Sequence, residues 1–109
     1  MEQTKRIVYQ KLVRDKIPQI IRASGKECVT QILSHEEYLQ KLDEKLDEEL
    51  AEYQQSKSLE ELADLLEVMG AVVSARGYTW EELETIRAHK CSKRGGFRDK
   101  ILLVETTEE

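Results

Sequence analysis

Two pairs of carboxylates, Glu49 with Glu52 and Glu61 with Asp64, stand at i, i+3 spacing on consecutive helical stretches. They belong to the strings Glu48-Glu49-Leu50-Ala51-Glu52 and Glu61-Leu62-Ala63-Asp64, and eight residues separate the strings, enough for one tight helix–helix connection. Side chains three apart on a helix have Cβ atoms about 5–6 Å from each other, so each pair makes one acidic edge. If the two helices pack antiparallel, four carboxylates meet at one place. Uncompensated negative charge of that density is costly, and a cation is expected among them. All-oxygen ligation suits Mg²⁺ or Mn²⁺ rather than zinc.

The helices around these strings have legible ends. Ser34 and Glu37 form a capping box, with Leu33 and Tyr38 placed as its hydrophobic staple. Leu39, Leu42, Leu46, Leu50 and Tyr53 then recur at 3-to-4 spacing, which predicts a helix from about His35 to Gln54. Gln55-Ser56-Lys57 makes the turn. A second helix runs from near Ser58 to before Gly77, with a wide apolar arc: Leu59, Leu62, Leu65, Leu66, Val68, Met69, Val72 and Val73. So broad an arc asks for burial on most sides, more than one small domain supplies, which predicts a partner subunit. Gly70 and Ala71 permit close helix approach. A third helix opens with the box of Thr79 and Glu82 and is broken by Gly95-Gly96.

Outside these helices, Lys16–Arg22 reads as a short helix that Asp15 can cap and Gly25 ends, with Pro18 tolerated in its first turn. Cys28–Leu33 is β-branched and too short for a helix, so it is expected as a strand, paired with Ile101–Val104. Residues 1–109 form one domain, mainly α: a helical bundle completed by oligomerisation, with a minor short β element.

Composition excludes several classes. Hydrophobic residues at 39% with charged residues at 36% describe a soluble protein, and a net charge of −5 argues against nucleic-acid binding. No apolar run approaches a membrane span, and no signal peptide opens the chain. Cys28 and Cys91 form no CxxC pair, so the cytoplasm is the expected location. A phosphate ligand remains compatible with the acidic balance, because a bound metal reverses the local field.

On a helical wheel Glu49 borders the apolar stripe, Glu52 lies along the same flank and Glu48 points to solvent. Glu61 falls within the apolar arc between Val68 and Val72, and Asp64 lies just outside it. Two roles are open to Glu61. Ser58-x-x-Glu61 is itself a capping box, yet a capping Glu belongs on an exposed edge and this one sits among valines. The acidic strings as a whole have two readings as well, a solvated Glu-rich face or a metal site.

The EExxE and ExxD strings on successive helices resemble the MazG-like all-α nucleoside triphosphate pyrophosphohydrolases, a group that includes the dimeric dUTPases and phosphoribosyl-ATP pyrophosphohydrolase. Tyr9-Gln10-Lys11-Leu12-Val13-Arg14-Asp15-Lys16-Ile17-Pro18 and Lys93-Arg94-Gly95-Gly96-Phe97 fit one small branch of that group, so the resemblance spans nearly the whole chain. It implies metal ligation by Glu49, Glu52, Glu61 and Asp64, with Glu48 behind the ligands and catalysis shared by Glu48, Glu49 and Glu52. It implies hydrolysis of a nucleoside triphosphate to the monophosphate and pyrophosphate, with Mg²⁺ or Mn²⁺, in a homodimer or homotetramer. The connection between the strings is shorter than in many members, which leaves less room for a base-reading loop.

A triphosphate carries more charge than the metals neutralise. Lys11, Arg14 and Lys16 on one side, and Lys90, Lys93, Arg94 and Arg98 on the other, are candidates for the remainder. Gly95-Gly96 after Lys93-Arg94 lets backbone approach an anion, although basic residues before a Gly-Gly also simply end a helix. His35 and His89 lack partners at zinc spacing and read as structural. Trp80 is expected in packing. Two rival functions differ in class: a non-enzymatic helical oligomerisation module, and a nucleotide-binding regulator without turnover.

Overall fold

The computed structural model describes residues 5–108. It contains four helices: α1 (Ile17–Ala23), α2 (His35–Ser56), α3 (Leu59–Ala75) and α4 (Trp80–Arg94). α2 and α3 form an antiparallel hairpin, and α4 packs on α3. The antiparallel sense is fixed by two cross-contacts. Asp43, early in α2, meets Arg76 at the end of α3 at 3.2 Å, while Glu49, later in α2, approaches Glu61 and Asp64 early in α3.

Local chemistry explains where each helix begins and ends. The Ser34–Glu37 and Thr79–Glu82 boxes are closed in both directions, so α2 and α4 start where their sequence says. α2 runs two residues past the expected Gln54, and the turn shrinks to Lys57 and Ser58. Lys57 adopts a left-handed conformation at φ 58°. Its ammonium holds Gln54 at 2.7 Å and lies 5.4 Å from the Tyr53 ring centre, contacts that help offset the cost of that backbone for a non-glycine residue. α3 ends in a Schellman motif: Tyr78 N–H donates to Val73 O and Gly77 N–H to Ser74 O, with Gly77 supplying φ 85°. α1 differs at its start. Its N-cap is Lys16, with no side-chain cap, so Asp15 does not serve.

Gly70 does permit a close approach. The Trp80 ring closes over it, where a methyl would stand 3.8 Å from the ring, and this contact seats the first turn of α4 on α3. The core is otherwise slight. Among the described residues Leu42 is the single buried apolar side chain, and the hairpin seam of Leu46, Leu65, Val68, Val72 and Val73 is half-buried. Leu59, Leu62, Leu66 and Met69 on α3, Leu50 on α2 and Ile86 on α4 stay exposed. The molecule measures 78 × 31 × 25 Å with a radius of gyration of 19.8 Å, against about 13 Å for a compact domain near this length.

No strand is present among the described residues. The expected pair, Cys28–Leu33 with Ile101–Val104, is not formed: both segments are non-helical, Val29 and Ile32 are fully solvated, and Ile101–Val104 is exposed along its length. β-Branched composition alone does not make a strand when no backbone partner stands alongside. None of the described helices is long and apolar enough to cross a membrane.

Candidate metal centre

The hairpin brings the carboxylates together. Glu49 projects from α2 into the seam and is 7% exposed, while Glu61 and Asp64 face it from the first turns of α3. One carboxylate oxygen from each of the three lies within 4.8 Å of the others. Oxygens around an octahedral Mg²⁺ are about 3–4 Å apart, so small side-chain movements bring this set to ligand spacing. Glu52, exposed, stands outside that set but close enough to act on both Glu49 and Glu61.

Two oxygens mark the site as incomplete. Glu49 Oε2 and Glu61 Oε2 are buried and accept no hydrogen bond. An ionised oxygen removed from water without a donor is costly, and a cation is the partner that offsets this most fully. The titration behaviour follows. Burial first, then the neighbouring Glu52 carboxyl, push Glu49 above the ordinary glutamate value; Lys45 opposes this and Asp64 adds to it. Glu61 is raised in the same way, by desolvation first, then by Glu52, Asp64 and Glu60.

Glu61 is not spent on capping. Ser58 Oγ accepts from Glu61 N–H at 3.3 Å, but Ser58 N–H donates to Ser56 Oγ at 3.2 Å, so the Glu61 carboxyl is not drawn back to the N-cap. Of the two roles its sequence allowed, the structure leaves this side chain facing the other carboxylates.

Glu48 does not point to solvent as its wheel position suggested. It is half-buried between Lys11 Nζ at 3.2 Å and Lys45 Nζ at 3.3 Å. Burial alone would raise it, but the hydrogen bond from Lys11, the charge and hydrogen bond of Lys45 and then the Lys11 charge outweigh burial, and Glu48 titrates below the ordinary value. Lys45 also reaches Glu49 Oε1 at 3.5 Å. Glu48 therefore stands behind the cluster, holding the lysine that touches it. Lys45 was missed in the sequence, although its i+3 and i+4 spacing to Glu48 and Glu49 is the signal that finds it.

Of the basic candidates, Lys11 and Arg14 come to the site. Arg14 Nη2 bonds Asp64 Oδ1 at 2.6 Å. Five carboxylates (Glu48, Glu49, Glu52, Glu61 and Asp64) thus meet three cations (Lys11, Lys45 and Arg14), and full ionisation leaves two negative charges, the deficit a divalent ion fills. Lys16 is exposed at the start of α1 and makes no ion pair among the described residues. Lys90, Lys93 and Arg94 line a shallow groove of about 380 Å³ along α4 with Thr85, Ile86 and His89, and no ion pair ties them to the carboxylates among the described residues. Arg98 and Phe97 are exposed beyond α4.

No family model and no solved structure matches the chain. It is similar to an uncharacterized protein of Mycolicibacterium smegmatis, 61% identical over 41 residues that cover 38% of this chain and 42% of that protein. The chain thus matches less than half the length of that relative.

Proposed function

We propose that this chain is a metal-dependent nucleoside triphosphate pyrophosphohydrolase of the MazG-like kind, releasing the monophosphate and pyrophosphate. The observation that carries the reading is Glu49: a carboxylate more than nine-tenths buried, with one unpartnered oxygen, in the same three-residue cluster as Glu61 and Asp64. Glu49, Glu61 and Asp64 would hold Mg²⁺ or Mn²⁺, with Glu52 beside them. Bound there, the ion supplies charge neutralisation on phosphoryl oxygens and a lowered pKa for an attacking water. Glu52 is exposed and outside the three-oxygen set, which leaves it free to orient that water and take its proton. Glu48 keeps Lys45 against Glu49 and so holds the cluster in place. Lys93 and Arg94, at the C-terminal turn of α4 before Gly95, are free to bind phosphate oxygens.

The same reading includes a homodimer or homotetramer, and a cytoplasmic protein that clears unwanted nucleotides. Exposed Leu59, Leu62, Leu66 and Met69 support assembly, since they make one row of large apolar side chains on α3 that the described residues leave exposed. The exposed row also fits a non-enzymatic assembly module, which an activity assay separates. Screening the common NTPs and dNTPs with Mg²⁺ should give pyrophosphate from at least one, and none when Mg²⁺ is chelated. Nucleotide binding without pyrophosphate release would leave a regulator, and neither binding nor release would leave the assembly module.

A further inference from the structure

The segment before α1 crosses the hairpin and is held at two points, Lys11 on Glu48 and Arg14 on Asp64. The two contacts are 37 and 50 residues apart in sequence, so they dock the segment on α2 and α3 rather than steady a single helix. They differ in what they hold. Glu48 lies outside the oxygen set that surrounds the proposed ion position, whereas Asp64 is a member of it. Arg14 bonds Asp64 through Oδ1, so a divalent ion drawn to this carboxylate meets a positive charge already placed on it.

Building on the reading of the cluster as a metal site, we infer that Arg14 is a resident counter-ion that the metal displaces, and that the displaced guanidinium then binds a phosphate oxygen of the nucleotide. Three features support this. The Arg14 side chain is 58% exposed and Asp64 40% exposed, so the bond is of the weak, solvent-screened kind that a divalent ion outcompetes. Lys11 stays on Glu48 when Arg14 lets go, because no metal ligand is involved there, and this keeps the guanidinium within reach of the site. Arg14 reaches Asp64 through Nη2 alone, and its planar fork, once freed, can take two phosphate oxygens at once. Metal then binds before nucleotide, and the metal-free site is closed to phosphate both by its charge and by its occupied arginine.

Titrating Mn²⁺ alone into the full chain and into Arg14→Ala reads the first half. Titrating a non-hydrolysable nucleoside triphosphate analogue into the Mn²⁺-saturated proteins reads the second. Arg14→Ala should bind Mn²⁺ roughly two- to fivefold more tightly, the scale of an exposed ion pair, and should bind the analogue more weakly. Arg14→Lys, which keeps the charge without the fork, should restore Mn²⁺ affinity toward wild type but not analogue affinity. Opposite signs in the two titrations distinguish this role from a structural one, which would weaken both. Unchanged or weaker Mn²⁺ binding in Arg14→Ala, or unchanged analogue binding, overturns the inference while the metal site stands. Absence of Mn²⁺ binding in wild type and variant alike overturns the metal site and the inference together.

Discussion

At the starts of α2 and α4, Glu37 and Glu82 reach back to the backbone of Ser34 and Thr79 and close the box; at the start of α3, Glu61 does not reach back to Ser58. The three starts share the pattern Ser/Thr-x-x-Glu and the first hydrogen bond, from the N3 amide to the hydroxyl. They differ in what lies beside the third residue. Glu37 and Glu82 are exposed with no acidic cluster around them, while Glu61 is turned toward Glu49, Glu52 and Asp64. A glutamate that forgoes a cap bond and stands among three other carboxylates raises the energy of the metal-free chain. That cost has a purpose if a divalent ion offsets it, and stability and metal binding then trade against each other at one residue set.

The largest effect that separates the two kinds of start should come from Glu49→Gln. Metal at 100 times its dissociation constant adds about 2.7 kcal/mol to a protein that binds it only when folded, a rise of roughly 10–20 °C for a domain of about this size. Wild type should show that rise with Mg²⁺ and Glu49→Gln should not. Without metal, the variant should melt at the same temperature or higher, because mutual repulsion is relieved. A metal-dependent rise of wild-type size in Glu49→Gln would remove it from the ligand set.

Thr79→Ala is the counterpart at a closed box. It should cost about 1 kcal/mol by thermal or urea melting and leave Mg²⁺ affinity unchanged. Altered metal affinity in that variant would show that α4's start and the cluster are coupled, and the contrast would fail.

The pH dependence of the metal-free chain gives a smaller signal of definite sign. Glu49 and Glu61 titrate above the ordinary glutamate value in the folded chain. The folded state binds protons more readily than the unfolded one. Their contribution is therefore fully present below the ordinary value and is lost as pH rises through the raised one. Melting temperature against pH should fall more across this window in wild type than in Glu49→Gln, and saturating Mg²⁺ should remove the difference. Parallel curves without metal would mean that the two carboxyls are not destabilised by folding.

The smallest expected effect on metal binding is none. Changing Lys93 and Arg94 together to Ala should leave Mg²⁺ affinity as it was, since no ion pair ties them to the carboxylates among the described residues, and should weaken only nucleotide binding. A higher KM with kcat preserved would mean that they bind ground and transition states alike; a lower kcat would place them on charge developing at the leaving pyrophosphate. Unchanged kinetics would reduce the Lys-Arg-Gly-Gly string to a helix terminus.

What could be read from the sequence was local. The starts of α2 and α4, the ending of α3 before Gly77 and the meeting of Glu49 with Asp64 all follow from short-range rules: caps, periodicity and a short connection. Long-range docking was not legible. The segment carrying Lys11 and Arg14 read as a basic string, and nothing in its composition said that it would lie on residues 37 and 50 positions away. Glu48 was misplaced in part for the same reason: its helical wheel points outward, and Lys11 of the docked segment joins Lys45 of its own helix over it. The strand expectation for Cys28–Leu33 and Ile101–Val104 failed in the single chain since pairing depends on a neighbour that composition does not supply.

Calorimetric titration of Mg²⁺ into wild type and Glu61→Gln tests the metal centre most directly. Gln fills a capping role nearly as well as Glu but does not carry the charge that holds the ion. Saturable binding by wild type, lost in Glu61→Gln with a metal-free melting temperature that holds or rises, is the expected result. Equal Mg²⁺ affinity in both proteins, or none in wild type, would contradict it.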